Sequence, residues 1–171
     1  MACSQTLAGI ARDCAASMGG IKRVLLANAA DVASVTVSSD IVTAITMDSG
    51  KKFKEYNFRP GTGSLSSNWQ VSPENGVAYV QNDLLMVFNR METTKRVEIM
   101  ALAQADLIGI VEDMNGKFWL LGYPDENLLL SAGDGLTGTA RGDRNGYSIT
   151  LQSNSAALPI EVDDNVPASV L

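Results

Sequence analysis

Two apolar segments on either side of Asn115-Gly116 constrain the fold of this chain more than any other feature of its sequence. Residues 107–111 read LIGIV and residues 117–122 read KFWLLG, so two strand-forming runs are separated by a short polar segment. Because Asn and Gly both tolerate the positive φ of a type I′ turn, Asn-Gly between such runs predicts a β-hairpin. We expect this hairpin to form the centre of the core, with the other strands packed around it.

The segment before the hairpin changes from the hydrophobic period of a strand to that of a helix. Val97, Met100 and Ala101 recur at helical spacing, which predicts one α-helix at about residues 93–104. Elsewhere, short apolar runs are separated by turn residues about every ten positions, and two of these runs, at 65–71 and 147–152, alternate between apolar and polar side chains. The pattern predicts a mainly β fold, a sandwich or barrel of about eight antiparallel strands with one flanking helix.

Other segments carry weaker signals. Residues 77–79 read as irregular structure or a helical turn, residues 124–144 show little periodicity, and residues 158–162 read as a final edge strand. These signals divide the chain into an N-terminal arm at 1–19, a single β domain at 20–162, and a C-terminal tail at 163–171.

The composition argues against most enzyme and metal chemistry. The 171 residues include no histidine, which removes the commonest general base, the commonest zinc ligand and the usual Ser or Cys triad. Cys3 and Cys14 cannot complete a four-ligand zinc site without histidine, and we expect both to be free thiols. We therefore predict no enzymatic activity, no metal site and no cofactor.

The charge of the chain constrains its partners. The formal net charge is −6, whereas a protein that binds nucleic acid through counterion release needs clustered Lys and Arg. The acidic balance is still compatible with a surface over which DNA slides without adhering. Residues 1–20 lack the basic and apolar regions of a signal peptide, and no apolar run approaches the ~20 residues that cross a bilayer. We expect the protein to be made in a cytoplasm, with no membrane partner.

Several short motifs that could carry chemistry have simpler explanations. The adhesion-like triplet at 141–143 (RGD) is expected to be a chance match, and the Gly-rich loop at 61–64 lacks the Lys and helix of a phosphate-binding loop. The Gly-Asp segment at 133–135 lacks the closing Glu of a calcium loop. Carboxylates that fall in or beside turns fit ordinary turn chemistry: Asp31, Asp40, Asp48 and Glu55.

The aromatic and basic residues are interpreted in the same way. Trp69, Phe118 and Trp119 lie on predicted strands, and we expect them in the core instead of on an exposed binding platform. Arg90, Lys95 and Arg96 alternate with glutamates around the helix start, which indicates a solvated or inter-subunit face and not a nucleic-acid patch.

A set of segments along the chain resembles a known family. These segments are 88–96 (FNRMETTKR), 107–111 (LIGIV), 116–122 (GKFWLLG), 137–140 (TGTA), 146–151 (GYSITL) and 158–162 (LPIEV). Over residues 1–162 the chain resembles the small structural proteins in the tail and neck modules of tailed bacteriophages of gut bacteria, and most of all the tail tube family.

The resemblance implies a β-sandwich or barrel with one flanking helix. It implies hexameric rings that stack through loops and terminal arms, with an inner channel lined by joined sheets through which DNA passes without specific binding. The implied location is the virion tail, assembled in the host cytoplasm with other tail or neck proteins. The loop at 59–64 is shorter than a long stacking loop. We place subunit contacts at the arm, this loop, the helix and the loop at 128–144, with these residues as candidates: Arg59, Thr62, Ser64, Arg90, Lys95, Arg96, Asp134, Arg141 and Asp143.

Three alternatives stay open at this point. The first is another virion component, namely a neck or connector ring, a tail terminator or a capsid decoration protein. The second is a carbohydrate-binding β-sandwich that uses Trp69, Trp119 and Tyr123 as a platform. The third is an enzyme that uses two carboxylates close together in one pocket.

Overall fold

The computed structural model describes residues 7–171, so Cys3 and the start of the expected arm lie outside the described residues. Within this range the chain forms eleven β-strands and two α-helices. The strands are β1 Ile21–Asn28, β2 Val32–Ser38, β3 Ile41–Met47, β4 Lys54–Asn57, β5 Ser64–Ser72, β6 Val77–Asn89, β7 Leu107–Asp113, β8 Phe118–Leu121, β9 Leu129–Leu136, β10 Gly146–Ser155 and β11 Ile160–Val162, and the helices are α1 Thr93–Leu102 and α2 Val166–Val170.

The strands form two sheets. The larger sheet has seven strands in the order β2-β3-β11-β8-β7-β1-β4, and the smaller has four in the order β5-β6-β10-β9. Every pairing is antiparallel except that of β11 with β3. The prediction of a mainly β fold with a flanking helix is confirmed.

The centre of the large sheet is apolar on both faces. In β1, Val24 and Leu26 contact one hydrophobic cluster, whereas Leu25 and Ala27 contact another, because successive side chains of a strand point to opposite faces. The first cluster also contains side chains of the small sheet: Leu84, Met86, Ile149 and Leu151. The small sheet therefore packs face to face on the large one, as in a sandwich.

The predicted central hairpin is present as β7 paired with β8, but its turn differs from the prediction. Only Gly116 has a positive φ, and the amide of Asp113 donates to the carbonyl of Lys117 across the loop. The type I′ prediction is wrong because Asp113 organises the turn. Its Oδ1 accepts hydrogen bonds from the amides of Asn115, at 2.7 Å, and Lys117, at 2.9 Å.

Three segments with weak signals form regular strands. Residues 77–79 begin β6, which extends to Asn89 because it pairs with β5 over nine residues and with β10 over ten. Residues 124–144 contain β9, whose Gly and Asp residues hide its pattern. Residues 160–162 form β11, which lies between β3 and β8 and is not an edge strand.

The two ends of the described chain behave differently. Residues 163–171 fold back and form α2, with Val166 and Val170 buried in the second cluster and the amide of Phe53 donating to the carbonyl of Val170. They are not a projecting tail, because this apolar helix covers the outer face of the large sheet. Residues 7–19 form neither helix nor strand and are exposed, with Leu7 and Ile10 91% and 101% exposed among the described residues.

Candidate assembly interface

The outward face of the small sheet carries mainly neutral polar side chains, together with Asp83, Leu85 and Val87. Leu84 and Met86 point into the core, so their neighbours Asp83 and Leu85 point outward, and pairing places Ser66 and Gln152 on either side of Asp83. The same alternation assigns these residues to the outward face: Ser64, Ser66, Asn68, Gln70, Gln81, Asp83, Leu85, Val87, Ser148, Thr150, Gln152 and Asn154.

No positive charge lies on this sheet. The four strands contain two aspartates, Asp83 and Asp134, and none of the 13 Lys and Arg residues of the chain. Proteins bind the phosphate backbone of a duplex mainly through Lys and Arg, which displace the counterions of the DNA. This face has no Lys or Arg, so it cannot bind DNA in that way.

One edge of the small sheet lacks the usual protection against pairing with another chain. β5 is nine residues long, carries no charge and no proline, and pairs with β6 without a bulge. The other three edges within residues 7–171 are interrupted or charged: β9 pairs across a bulge, β2 pairs across two, and β4 is four residues long with Lys54 and Glu55. An unprotected edge of this length is a template for strand addition.

The structure brings the nine predicted interface residues to one end of the small sheet. At this end, which we call the helix end, β6 finishes and α1 begins. The amide of Arg90 donates to the carbonyl of Asn145 at 2.6 Å, and the amide of Met91 donates to Asn145 Oδ1 at 2.9 Å. These bonds join the β9–β10 loop to the β6–α1 junction. Arg59, in the β4–β5 loop, lines a depression together with Lys95.

Several of the nine side chains have internal partners. Lys95 Nζ donates to the carbonyl of Asn89 at 2.7 Å, and Asp134 pairs with Arg144 at 3.2 Å. Asp143 Oδ2 accepts hydrogen bonds from the amides of Ala140 and Thr139, which lowers the pKa of Asp143. Because the Asp143 carboxylate caps its own loop, the triplet 141–143 has a structural explanation.

The remaining arginines give the helix end an uncompensated positive charge. Within residues 7–171, no carboxylate lies within 4 Å of the guanidinium groups of Arg59, Arg96 or Arg141. Arg90 pairs with Glu92 at 3.1 Å but is 82% exposed. Thr62 and Ser64 have local roles, since Thr62 closes the β4–β5 turn on the carbonyl of Arg59 and Ser64 begins β5.

Sequence reasoning missed the opposite end of the small sheet, which we call the hairpin end. There β5 and β6 project as a two-stranded ribbon with exposed apolar side chains, and the core prediction for Trp69 is wrong because it is 53% exposed. Trp69 lies on the same face of β5 as the half-buried Leu65, but Ser67, hydrogen-bonded to the buried Asn82, separates it from the first cluster. The apolar-polar alternation at residues 65–71 indicates which face of β5 is apolar, but it does not indicate where the opposing sheet that covers this face ends.

The aromatic residues proposed as a sugar platform are not brought together. Trp119 is half-buried in the large sheet, where its Nε1 donates to Asp113 Oδ2 at 3.3 Å. Tyr123 packs against the second cluster, and Trp69 lies on the projecting ribbon. Phe118, by contrast, is buried as predicted.

The one strongly buried carboxylate of the described chain is balanced by cations. Glu112 is 5% exposed and accepts hydrogen bonds from Lys22, at 2.7 Å, and from Arg23, which also contacts Glu55 at 3.3 Å. Burial opposes ionisation of Glu112, but the hydrogen bonds from the two cations outweigh it and hold its pKa below the usual value. This network ties β1 to β7 and β4.

Two features are absent from residues 7–171. This part of the chain holds no group of three or more His, Cys, Asp and Glu side chains arranged to bind a metal ion. Neither of its helices has the length and hydropathy that crossing a membrane requires.

The fold and its surfaces define a class: a two-sheet, mainly β protein with a cation-free sheet face beside an unprotected edge strand. No protein-family model, curated protein or solved structure matches this chain.

Proposed function

We propose that this chain is a structural virion protein that forms stacked rings, hexameric as the resemblance implies, and builds the tail tube of a tailed bacteriophage. In this proposal it acts without catalysis or cofactor, is assembled in the host cytoplasm with other tail or neck proteins, and resides in the virion tail. The observation that carries it is the cation-free face of the small sheet beside the unprotected edge β5.

The two features have complementary roles in a ring. Strand addition at β5 extends the small sheet into the next copy, and the neighbour supplies the regular part of the opposite edge, residues 132–136 of β9, which lie on one side of its bulge. Repetition of this heterologous contact closes a ring if the rotation between copies closes. The joined sheets then present Ser, Thr, Gln, Asn and Asp side chains to the channel, together with Leu85 and Val87.

The chemistry of that channel suits the passage of DNA. Neutral side chains such as Gln152 and Thr150 hydrogen-bond water, while Asp83 repels phosphate at close range. Without Lys or Arg on the wall, a moving duplex meets no site that holds it by counterion release.

Negative-stain electron microscopy of the purified chain, taken together with its mass in solution, tests this proposal. We expect sixfold rings or tubes with a central hole at high protein concentration. Rings of another symmetry, such as twelvefold, would indicate a connector ring instead. A monomer at every concentration, both alone and with tail initiator proteins added, would contradict self-assembly.

A further inference from the structure

The hairpin end of the small sheet presents an apolar surface that its own chain does not cover. Trp69 is 53% exposed and Val71, two residues further along the same face of β5, is 62% exposed. Val77 and Tyr79 on the other face are 45% and 38% exposed. A two-stranded ribbon is at best marginally stable in water without a covering layer.

The helix end presents a second uncovered apolar surface. Ile99 and Leu102 of α1 pack against the first cluster, whereas Val97 and Met100, on the outward side, are 55% and 54% exposed. The two residues are three positions apart, so they lie next to each other on the helix surface. Arg96 adjoins this pair.

The two surfaces lie at opposite ends of one strand. β6 runs from Val77, beside the hairpin tip, to Asn89, and α1 begins four residues later at Thr93. At roughly 3.3 Å per residue, this 13-residue strand separates the surfaces by about 40 Å. They cannot meet within one chain, but they can meet between copies aligned head to tail.

The charges of the two ends are complementary. Glu74, at the tip, is the only charged residue between positions 60 and 82, and the adjoining loop adds Asp125 and Glu126. The sequence has no Lys or Arg at positions 60–89 or 118–140, so the hairpin end contains no cation. The helix end supplies the guanidinium groups of Arg59, Arg96 and Arg141.

We propose that the hairpin end of one copy docks on the helix end of a second copy. Trp69 and Val71 pack on Val97 and Met100, and Glu74 pairs with Arg96. This contact rests on the self-assembly of the proposed function. It joins copies along the tube axis, whereas the contact at β5 joins neighbouring copies within a ring. A second copy is the occupant because one chain carries both surfaces, with matching apolar character and opposite charge. The axial repeat of such a stack is at most about 40 Å.

Cross-linking between two single-cysteine variants tests the contact directly. Both are made with Cys3→Ser and Cys14→Ser, one with Val71→Cys and the other with Val97→Cys, and a bis-maleimide is added to an equal mixture. We expect the mixed dimer to exceed either homodimer about tenfold. The matched control replaces Val97→Cys with Val37→Cys, because Val37 on β2 is also exposed, at 41%. This control should not cross-link to Val71→Cys above background.

Charge reversal tests the pairing within the same assay. Glu74→Arg in the Val71→Cys chain should lower the yield of mixed dimer about tenfold, and Arg96→Glu in the Val97→Cys chain should restore it. Homodimers of Val71→Cys in excess of the mixed dimer, or a mixed yield equal to the Val37→Cys control, would overturn the proposal.

The outcomes separate this contact from the tube proposal. Sixfold rings without Val71–Val97 cross-links would leave the tube proposal standing and overturn the head-to-tail contact. Cross-links that depend on Glu74 and Arg96, from a chain that never forms rings or tubes, would support the contact and contradict the tube.

Discussion

Asn115, in the turn between β7 and β8, holds the backbone of Met18 with both polar atoms of its side chain. Asn115 Oδ1 accepts from the amide of Met18 at 2.8 Å, and Nδ2 donates to the carbonyl of Met18 at 3.1 Å. The amide of Met114 also donates to the carbonyl of Gly20. The central hairpin therefore fixes the point at which the exposed arm leaves the domain.

Asn115→Ala is expected to release the root of the arm. Loss of the two hydrogen bonds should lower the free energy of unfolding by about 1 kcal/mol and abolish the protection of the Met18 amide against hydrogen exchange. Asn115→Asp is the matched control, because it keeps the acceptor for the Met18 amide and should retain most of that protection. Unchanged Met18 exchange in Asn115→Ala would show that the side chain does not hold the arm.

Glu112→Gln is expected to destabilise the domain in a pH-dependent way. The ionised carboxylate is stabilised by Lys22 and Arg23, so its replacement should cost about 2 kcal/mol near pH 7. Because the pKa of Glu112 is lower in the folded state, this stabilisation is present above about pH 4.5, the unfolded value. It is lost as the pH falls through the lower, folded pKa.

Denaturant unfolding of the wild type and the variant between pH 3 and 7 measures this difference. The gap between the two should shrink steadily below about pH 4.5. Glu161→Gln, which removes the exposed pair with Lys117, is the control and should change little at any pH. A gap for Glu112→Gln that stays constant with pH would contradict the ionic explanation.

Asn68→Lys places a charge in the middle of the β5 edge. Lysine on an edge strand discourages pairing with another chain, so the variant should stop at small species where the wild type forms rings. Its own stability should change by no more than about 0.5 kcal/mol, because Asn68 is exposed. Ser34→Lys on β2, the edge of the other sheet, should leave assembly unchanged. Sedimentation velocity distinguishes these results, and equal assembly of Asn68→Lys would exclude β5 as the lateral contact.

Thr150→Lys combined with Gln152→Lys is expected to make the outward face of the small sheet retain DNA. Assembled wild-type particles should bind duplex DNA weakly at low salt. The variant particles should bind it with an affinity that falls as salt rises, by a slope of about 0.9 for each phosphate neutralised. Ser34→Lys with Thr36→Lys adds the same charge to the other sheet and should retain less DNA. Equal retention by the two pairs would show that the small sheet does not face the DNA.

The sequence predicted the parts of the fold that depend on local pattern. The run 107–111 is buried along its length, and the helical spacing of Val97, Met100 and Ala101 matches α1, which ends at Leu102. β9 escaped prediction because an exposed edge strand with Gly133 and Gly135 lacks a one-sided apolar pattern. The position of β11 was not predicted correctly, because it lies between β3 and β8 and pairs with strands that are far from it in the sequence.

The grouping of the interface candidates at one end of the small sheet could not be predicted from the sequence. Arg59, Arg96 and Arg141 are far apart in sequence, and only the pairing of β5, β6, β10 and β9 brings them to one end of a sheet. Trp69 shows the complementary limit. The apolar-polar alternation predicts which face of β5 carries Trp69, but the exposure of Trp69 depends on how far the opposing sheet extends.

The most direct test of the tail tube proposal is an electron-microscopy reconstruction of the assembled particle at a resolution that distinguishes the two sheets. The tail tube proposal predicts a central channel whose wall is built from β5, β6, β10 and β9, with Asp83 and Gln152 facing the channel. A channel lined by the seven-stranded sheet, or an assembly without a channel, would contradict it.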